Sequence, residues 1–446
     1  MSSVISNGKL RLGWGQTGNS NIGGYRWGAS MSRMPTGLGL GYRQSNIANL
    51  GVKWETQEQV NVGIDLGFFH DRVNLVVDWY QKVSKDMLMS LQLPSYMGTS
   101  GNVSSALAAP MGNYGDIENK GWEISLNTHP LVGNFEWDSD FQISFNKNKL
   151  RALDGTANAQ IVGYGQWNDV VSVTNVGESL YNFYGYVCDG VYKDLEDLQT
   201  SAKPVKYPAN GVFNRTNTVW VGDIKYKDLN GDGVIDENDR TNIGSPLPKF
   251  TYGWTNTFRY KNFDLSIFIN GSYGNKVFNY LSMKLTHMNS PWSNQLTTVL
   301  DRAQIVPINP NKDYSGGVLV NGTTVYNWYD DITNVRVANP DASIPRASVQ
   351  DPNDNDRVSD RYIEDGSYIR LKNITLGYTF PGKMIKKWGL ENLRVYANIQ
   401  NLLTITGYDG YDPEIGVSTS SANVYGLDNG RYPSPTVYSF GLNVSF

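Results

Sequence analysis

The stretch best suited to ligand chemistry is an acidic, glycine-containing segment, residues 228–239. Oxygen donors occupy the first, third, fifth, ninth and twelfth of its twelve positions. These donors are Asp228, Asn230, Asp232, Asp236 and Asp239, and the backbone carbonyl of Val234 supplies the seventh position. This spacing lets a chain surround a hard cation with oxygen atoms, and glycine at the sixth position permits the sharp turn. The sequence therefore predicts a calcium site with a structural role.

This segment departs from the usual calcium loop in two ways. Asp239 replaces the bidentate glutamate of the twelfth position, and its shorter reach is expected to weaken the site or change its geometry. No long helices flank the loop, so a calcium-driven switch is not expected. The alternative is an empty turn held by hydrogen bonds from its own Asp and Asn side chains.

The other reactive residues form no catalytic set. The three histidines, His70, His129 and His287, are scattered along the chain. Cys188 lies in an aromatic stretch and is interpreted as a packed small hydrophobe. Residues 351–360 are interpreted as a solvated acidic loop, with a second cation site as the alternative. The sequence therefore predicts no catalytic residues and no enzyme.

The segments around the acidic loop are strands with one apolar and one polar face. In residues 249–260 aromatic side chains share one parity, while Thr and Gly share the other. Side chains alternate across a strand, so this pattern separates an apolar face from a polar one. Ten such segments occur, at residues 8–16, 57–68, 72–82, 116–128, 134–146, 249–260, 263–274, 367–380, 393–403 and 436–446. A change of phase near Lys372 and Asn373 suggests a β-bulge.

The connections between these strands alternate between short and long. Residues 70–71 and 261–262 are tight turns, whereas residues 147–248 and 275–366 are long loops. Outer-membrane barrels show this asymmetry, with short periplasmic turns and long extracellular loops. Strands of about 10–12 residues can cross a bilayer at a tilt. The predicted fold class is therefore all-β, a transmembrane antiparallel β-barrel wall of about ten strands.

Composition excludes other classes of protein. The formal net charge of −4 gives no basic excess, so we expect no nucleic acid partner. No apolar run approaches the roughly 18 residues of a spanning helix. The chain opens without a signal peptide and enters a strand almost at once. We therefore expect an N-terminal part of the barrel to come from elsewhere.

Seven phrases along the chain point to one family. They are LGWGQTGN at 12–19, WETQEQVNVGID at 54–65, GDIENKGWE at 115–123, GDIKYKDLNGDGVID at 222–236, IGSPLPK at 243–249, YIRLKNITLGY at 368–378 and ANIQNLL at 397–403. In these phrases the chain resembles the C-terminal part of a SusC/RagA-like TonB-dependent outer-membrane transporter. The phrases span nearly the whole chain in the family's order.

The resemblance implies more than residues 1–446 contain. It implies a 22-stranded plugged barrel, of which this chain holds about ten C-terminal strands. The plug and the remaining strands, the TonB system acting through that plug, and a SusD-like surface lipoprotein would be the partners. The implied location is the outer membrane of a Gram-negative, Bacteroidetes-type cell, in contact with its lipid. The implied function is uptake of glycans (oligosaccharides) or peptides, with this chain forming barrel wall and extracellular loops.

Two other functions remain open from the sequence. One is a passive porin-like barrel, whose transport would persist without a proton gradient. The other is a secreted calcium-dependent carbohydrate-binding or adhesin module, which would be soluble without detergent. Loop residues rich in Tyr, Trp and Asn suit sugar rings, but they suit peptides and packing within the loops as well.

Overall fold

One ten-stranded antiparallel sheet dominates the computed structural model, which describes residues 4–20, 24–25, 27–90, 107–153, 159–290, 292–416 and 423–446. We number its strands β1 to β10. They are Ile5–Asn19, Glu55–Phe68, Val73–Ser90, Met111–Leu131, Phe135–Ala152, Phe250–Tyr260, Phe263–Tyr273, Tyr368–Thr379, Asn392–Thr406 and Val437–Ser445. The order in the sheet follows the order in the chain, so the wall is an up-and-down meander. This confirms the predicted antiparallel wall.

The structure extends several strands beyond their predicted ends. β5 continues to Ala152 rather than stopping at residue 146, because its backbone stays paired with β4. The predicted bulge is present in β8. Phe268 pairs with Asn373 and Ile269 pairs with Leu371, which leaves Lys372 as the extra residue. The polarity pattern shows this slip because one added residue exchanges the two faces of a strand.

The hydrophobic cores lie outside this sheet. All three clusters of buried apolar residues found in the described chain belong to the connections. The largest includes Trp220, Val221 and Ile235, which are almost fully buried. Large apolar side chains of the wall instead stay exposed, as Leu12 and Phe440 do at 72% and 84%. The wall is therefore not one layer of a water-soluble sandwich.

The connections with these cores form a folded unit that we call the loop layer. It comprises the described residues of segments 159–249, 274–367 and 407–436. Its strands are Gln160–Tyr164, Val170–Asn175, Phe183–Gly185, Cys188–Val191, Lys203–Pro204, Ile224–Tyr226, Val234–Ile235, Thr241–Gly244, Lys276–Asn279, Ile305–Pro307, Val318–Val320, Thr323–Val325, Val335–Val337, Ile363–Asp365 and Leu427–Asp428. One further hairpin, Met31–Thr36 with Gly39–Gln44, follows β1.

The described helices are short. The α-helices are α1 (Leu195–Thr200), α2 (Tyr280–Leu285) and α3 (Gly382–Ile385). The 3-10 turns are Glu237–Asp239, Thr297–Asp301, Trp328–Asp330, Ile332–Asn334, Asp360–Tyr362 and Lys386–Trp388. Asp194 and Asn279 cap α1 and α2 by accepting a backbone N–H in the first turn. None of the helices in the described residues combines the length and apolarity needed to span a membrane.

Candidate functional site

Two rows of aromatic side chains cross the outer face of the wall. We call the sheet ends by their connections, the loop side and the turn side. The loop-side row contains Trp79, Trp122, Phe145, Phe250 and Tyr273, on adjacent strands from β3 to β7. The ring of Phe250 packs against those of Phe145 and Tyr273, with centroids 5.7 and 5.1 Å apart. The turn-side row contains Phe135, Tyr260, Phe263 and Tyr378, from β5 to β8.

The distance between these rows matches a bilayer. Phe250 begins β6 and Tyr260 ends it. At about 3.3 Å per residue, the rows are about 33 Å apart along the strand. A barrel strand tilted by about 40° reduces this to about 25 Å along the membrane normal, the height of the apolar band in outer-membrane barrels. Aromatic residues collect at both membrane–water interfaces, so the rows mark the two edges of the hydrocarbon layer.

The inner face of the wall carries ion pairs. Arg11 on β1 binds Asp65 on β2 and reaches Asp78 on β3, with N–O distances of 2.6 and 2.9 Å. Gly63 lies between these partners and makes the contact possible. A Cβ at Gly63 would come within 2.8 Å of the Arg11 guanidinium and would overlap the Asp78 carboxylate. Charges in this number are tolerated in a wet lumen but not on a lipid face.

A second ion pair repeats this arrangement. Arg394 on β9 binds Asp264 on β7, and Gly377 on β8 lies between them. A Cβ at Gly377 would overlap both charged groups. Small residues thus let long charged side chains cross a strand on the inner face.

Arg370 connects the wall to the loop layer. It begins on β8, is only 3% exposed, and binds Asp412 and Glu414 in the connection between β9 and β10. Its Nε also donates to Thr404 at 2.9 Å. Asp412 in turn accepts the backbone N–H of Ser434. The loop is therefore fastened to the inner face by one buried guanidinium.

A buried polar network joins the two longest connections. Asp223, fully buried, accepts from Arg346 Nε at 2.7 Å and from Asn355 at 3.2 Å. Asn355 also donates its backbone N–H to Asp351 at 2.8 Å. The chain continues through His287, whose Nε2 lies 2.9 Å from Asp351. Residues 351–360 are thus largely buried, and the interpretation of a solvated acidic loop is wrong.

His287 is the charged centre of this network. Its Nε2 faces Asp351 and its Nδ1 lies 3.1 Å from Asp356. Burial alone would lower the pKa of His287, but the hydrogen bonds to Asp351 and Asp356 outweigh it and raise the pKa to about 9. Burial likewise works to raise the pKa of Asp356, yet its bond to His287 holds the pKa below the ordinary value. A histidine flanked in this way is an imidazolium between two carboxylates.

This group also has the composition of a metal site. Within the described residues, His287, Asp351 and Asp356 are the group of three acidic, His or Cys side chains whose ligand atoms all lie within 4.8 Å of one another. Both ring nitrogens already face carboxylates, which favours the ion triplet over a metal. The two aspartates lie in the segment 351–360, for which a cation site was the alternative interpretation, whereas His287 was not predicted because it lies 64 residues from Asp351 along the chain.

The predicted calcium residues lie together in one exposed turn. Asp228 accepts the N–H groups of Gly231 and Gly233, and Asp232 accepts that of Val234 at 2.9 Å. Asp239 is buried and accepts from Leu229, which closes the loop. The other predicted donors, Asn230 and Asp236, accept the backbone N–H two residues ahead. The carboxylates of the turn thus face their own backbone and do not form a group of the kind found at His287.

Cys188 packs against the largest core. Burial raises the pKa of its thiol to about 12, so the thiolate is scarce near neutral pH. This confirms the interpretation of a packed small hydrophobe.

The chain matches the model of a known protein family. Residues 3–232, a little over half of the chain, match the model of the TonB dependent receptor-like β-barrel. The chain belongs to this family. Its location is therefore the outer membrane, as predicted.

Relatives of this TonB-dependent receptor barrel cover the chain from end to end. TonB-dependent receptor P3 of Formosa agariphila is 32% identical over 462 residues, covering 100% of this chain and 40% of the relative. TonB-dependent receptor SusC of Bacteroides thetaiotaomicron is 27% identical over 459 residues, covering 100% and 38%. The chain thus spans about two fifths of the length of the curated relatives that it matches.

A solved structure supports the same fold. The RagAB peptide transporter matches with a TM-score of 0.69 at 21% identity, covering 100% of this chain and 42% of that chain. The relatives found for this TonB-dependent receptor barrel are receptors and transporters rather than enzymes.

Proposed function

We propose that the protein containing this chain is a SusC-type, TonB-dependent importer of nutrients across the outer membrane. The architecture of the wall supports this proposal. The wall has an apolar outer face with bilayer-spaced aromatic rows and a charged inner face, and the folded cores of the loop layer lie at one end of it only. In this arrangement the loop layer faces outward and collects substrate, while the wall encloses the path.

The remaining strands complete the barrel. Among the described strands, β1 and β10 each have one paired edge and one free edge. Free backbone polar groups are not tolerated in hydrocarbon. We place the other strands of a 22-stranded barrel against these two edges. The same missing portion supplies the plug and the segment through which the TonB system releases substrate inward.

The loop layer exposes several aromatic side chains that could meet a substrate or a lid. They are Trp167, Trp292, Tyr326 and Tyr411, exposed by 54%, 93%, 64% and 65%. Flat aromatic faces bind the C–H faces of sugars and pack against peptide side chains. We propose glycans (oligosaccharides) or peptides as the cargo and a SusD-like lipoprotein as the covering partner. Neither the wall nor the loop layer is proposed to catalyse a reaction.

Uptake by cells carrying the full-length protein tests this function. Fluorescent oligosaccharides and peptides should enter only cells that carry the protein, and an uncoupler that collapses the proton gradient should abolish entry. Uptake that persists with the uncoupler would favour the passive porin. Detergent extracts should also yield the protein together with a SusD-like lipoprotein. Absence of that lipoprotein from the extracts would count against it as the covering partner.

We also propose that residues 228–239 bind calcium as a structural ion. Support comes from the spacing of the oxygen donors and from the positive φ angles of Gly231 and Gly233, +77° and +82°, which shape the turn. Binding would require the carboxylates of Asp228, Asp232 and Asp236 to turn from backbone to metal. Calcium titration of the full-length protein should show binding that Asp232→Ala weakens and Asp313→Ala, an exposed loop control, does not. Equal calcium affinities for Asp232→Ala and Asp313→Ala would show that this turn does not bind the ion.

A further inference from the structure

A patch of lysines lies on the outer face just beyond the loop-side aromatic row. Lys120 and Lys147 are paired residues of β4 and β5, placed two positions beyond Trp122 and Phe145 toward the loop side. Because a strand repeats its faces every two residues, both lysines share the outer face with those rings. Lys249 directly precedes β6, at the same height.

These lysines border one hollow. It has a volume of about 380 Å³, and its lining includes Trp79, Trp122 and Phe145 together with Lys120, Lys147 and Lys249. All three lysines are exposed. Within the described chain, Lys147 and Lys249 form no ion pair, and the only one for Lys120 is a 3.9 Å contact with Glu118. Three lysines and three aromatic residues therefore share the lining of one space.

More cations follow toward the loop side. Lys149 and Arg151 continue on the same face of β5. Three acids lie nearby. Glu118 pairs with Arg151 at 2.9 Å, Asp116 lies two positions further along the same face of β4, and Asp365 interacts electrostatically with Lys249. The patch thus holds five basic groups against three acids in a chain whose net charge is −4. The general composition does not explain this local excess.

The height of the patch identifies its ligand. The aromatic row marks the edge of the hydrocarbon, so the next residues outward lie at headgroup level. Lipid phosphates occupy this level, and each nearby Lys or Arg strengthens the attraction. A phosphomonoester carries close to two negative charges near neutral pH, while a phosphodiester carries one. Three lysines line one hollow, and within the described chain Lys147 has no ion pair and Lys120 has only the 3.9 Å contact with Glu118, so the more highly charged monoester suits the hollow better.

We propose that this hollow binds a phosphorylated glycolipid of the outer leaflet, with its phosphomonoester among Lys120, Lys147 and Lys249 and its acyl chains against the rings. The site goes beyond import, and it rests on the proposed function only in that the loop side faces outward. Binding is measured on purified protein without transport, so loss of the lipid site and loss of import are separate results.

Native mass spectrometry of the full-length transporter, delipidated in detergent, tests the site. A glycolipid with phosphomonoesters on its sugars is titrated against the protein. We expect K120Q/K147Q/K249Q to weaken binding on the order of 100-fold, and K120R/K147R/K249R to retain it. The matched control is K383Q/K386Q/K387Q, which removes three exposed lysines at the turn side and should leave affinity unchanged. Unaltered heat-modifiable gel mobility establishes that each variant is folded.

Each other outcome contradicts the site. Equal affinity of the wild type and K120Q/K147Q/K249Q would show that these lysines do not bind the lipid. An equal loss of affinity in the turn-side control K383Q/K386Q/K387Q would show that binding depends only on the net charge of the protein. Phosphatidylglycerol binding as tightly as the glycolipid would overturn the choice of a monoester. Competition by inorganic phosphate at equal concentration would overturn a membrane lipid as the ligand.

Discussion

At the scale of single residues, charged side chains decide how the loop layer is held. Arg370, Arg346 and His287 are each largely buried and each contacts at least one carboxylate. A buried charge is costly unless it is paired, so removing one member of such a pair leaves a penalty with no compensation. These contacts are therefore sensitive points even though the wall dominates the fold.

Replacing His287 by Asn should loosen the segment 351–356 and remove its pH dependence. The pKa of His287 is raised from 6.5 to about 9. Its contribution to stability is then complete below pH 6.5 and is lost as pH rises to about 9. In the wild type, the protection of this segment against hydrogen exchange, relative to the intrinsic exchange rate at each pH, should fall across that window. In His287→Asn this protection should be low at every pH, and a fall in protection that persists in the variant would contradict the assignment.

Replacing Arg370 by Met should release the connection between β9 and β10. The loss of a buried partner should destabilise this contact by about 3–5 kcal/mol. Lys372→Met is the matched control, because Lys372 binds the same Glu414 at 3.3 Å but is 34% exposed; its effect should stay below about 1 kcal/mol. Proteolysis of residues 407–416 reports the release, and equal rates for the two variants would reject the role of Arg370.

At the scale of elements, each strand is specified by its own two-residue pattern and by the small residues that let inner side chains cross it. Gly377 has no special backbone angle; its missing side chain is what Arg394 and Asp264 need. The same reasoning applies to Gly63 in β2. Strand pairing thus depends on inner-face packing as well as on backbone hydrogen bonds.

Replacing Gly377 by Ala should weaken the pairing of β7, β8 and β9. The methyl group would separate Arg394 from Asp264, at an expected cost of about 2 kcal/mol for the lost charged hydrogen bonds. Gly15→Ala in β1 is the control, since nothing lies within 4 Å of its added Cβ. Urea titration of heat-modifiable gel mobility measures both variants. Equal midpoints would show that the crossing ion pair does not support the wall.

At the scale of the whole molecule, two bodies of different chemistry share one chain. The wall turns its apolar side chains outward, whereas the loop layer buries its own in three clusters. Such a molecule need not unfold in one step, because each body has its own source of stability. The wall depends on the bilayer or detergent, and the loop layer depends on water.

The two bodies should respond separately to mutation. Ile235 is fully buried in the largest core, so Ile235→Ala should destabilise the loop layer by about 2–5 kcal/mol. Leu376, exposed by 49% on the outer face, serves as the wall control. Calorimetry in detergent should show that Ile235→Ala lowers the midpoint temperature of the loop-layer transition. Leu376→Ala should leave that temperature unchanged. A single transition shifted equally by both would contradict the division.

Sequence patterns are enough to predict the wall, with its ten alternating strands, its short and long connections and the bulge at Lys372. These features follow from local patterns, because a two-residue period sets the face on which each side chain lies and adjacent residues set the turns. The buried network, the anchoring of Arg370 and the lysine hollow become visible only in the folded chain. Their members are far apart in sequence, as Asp223 and Arg346 are, 123 residues from each other. A single sequence cannot show which distant charges meet. The polarity of the segment 351–360 therefore predicted a solvated loop, although its partners bury it.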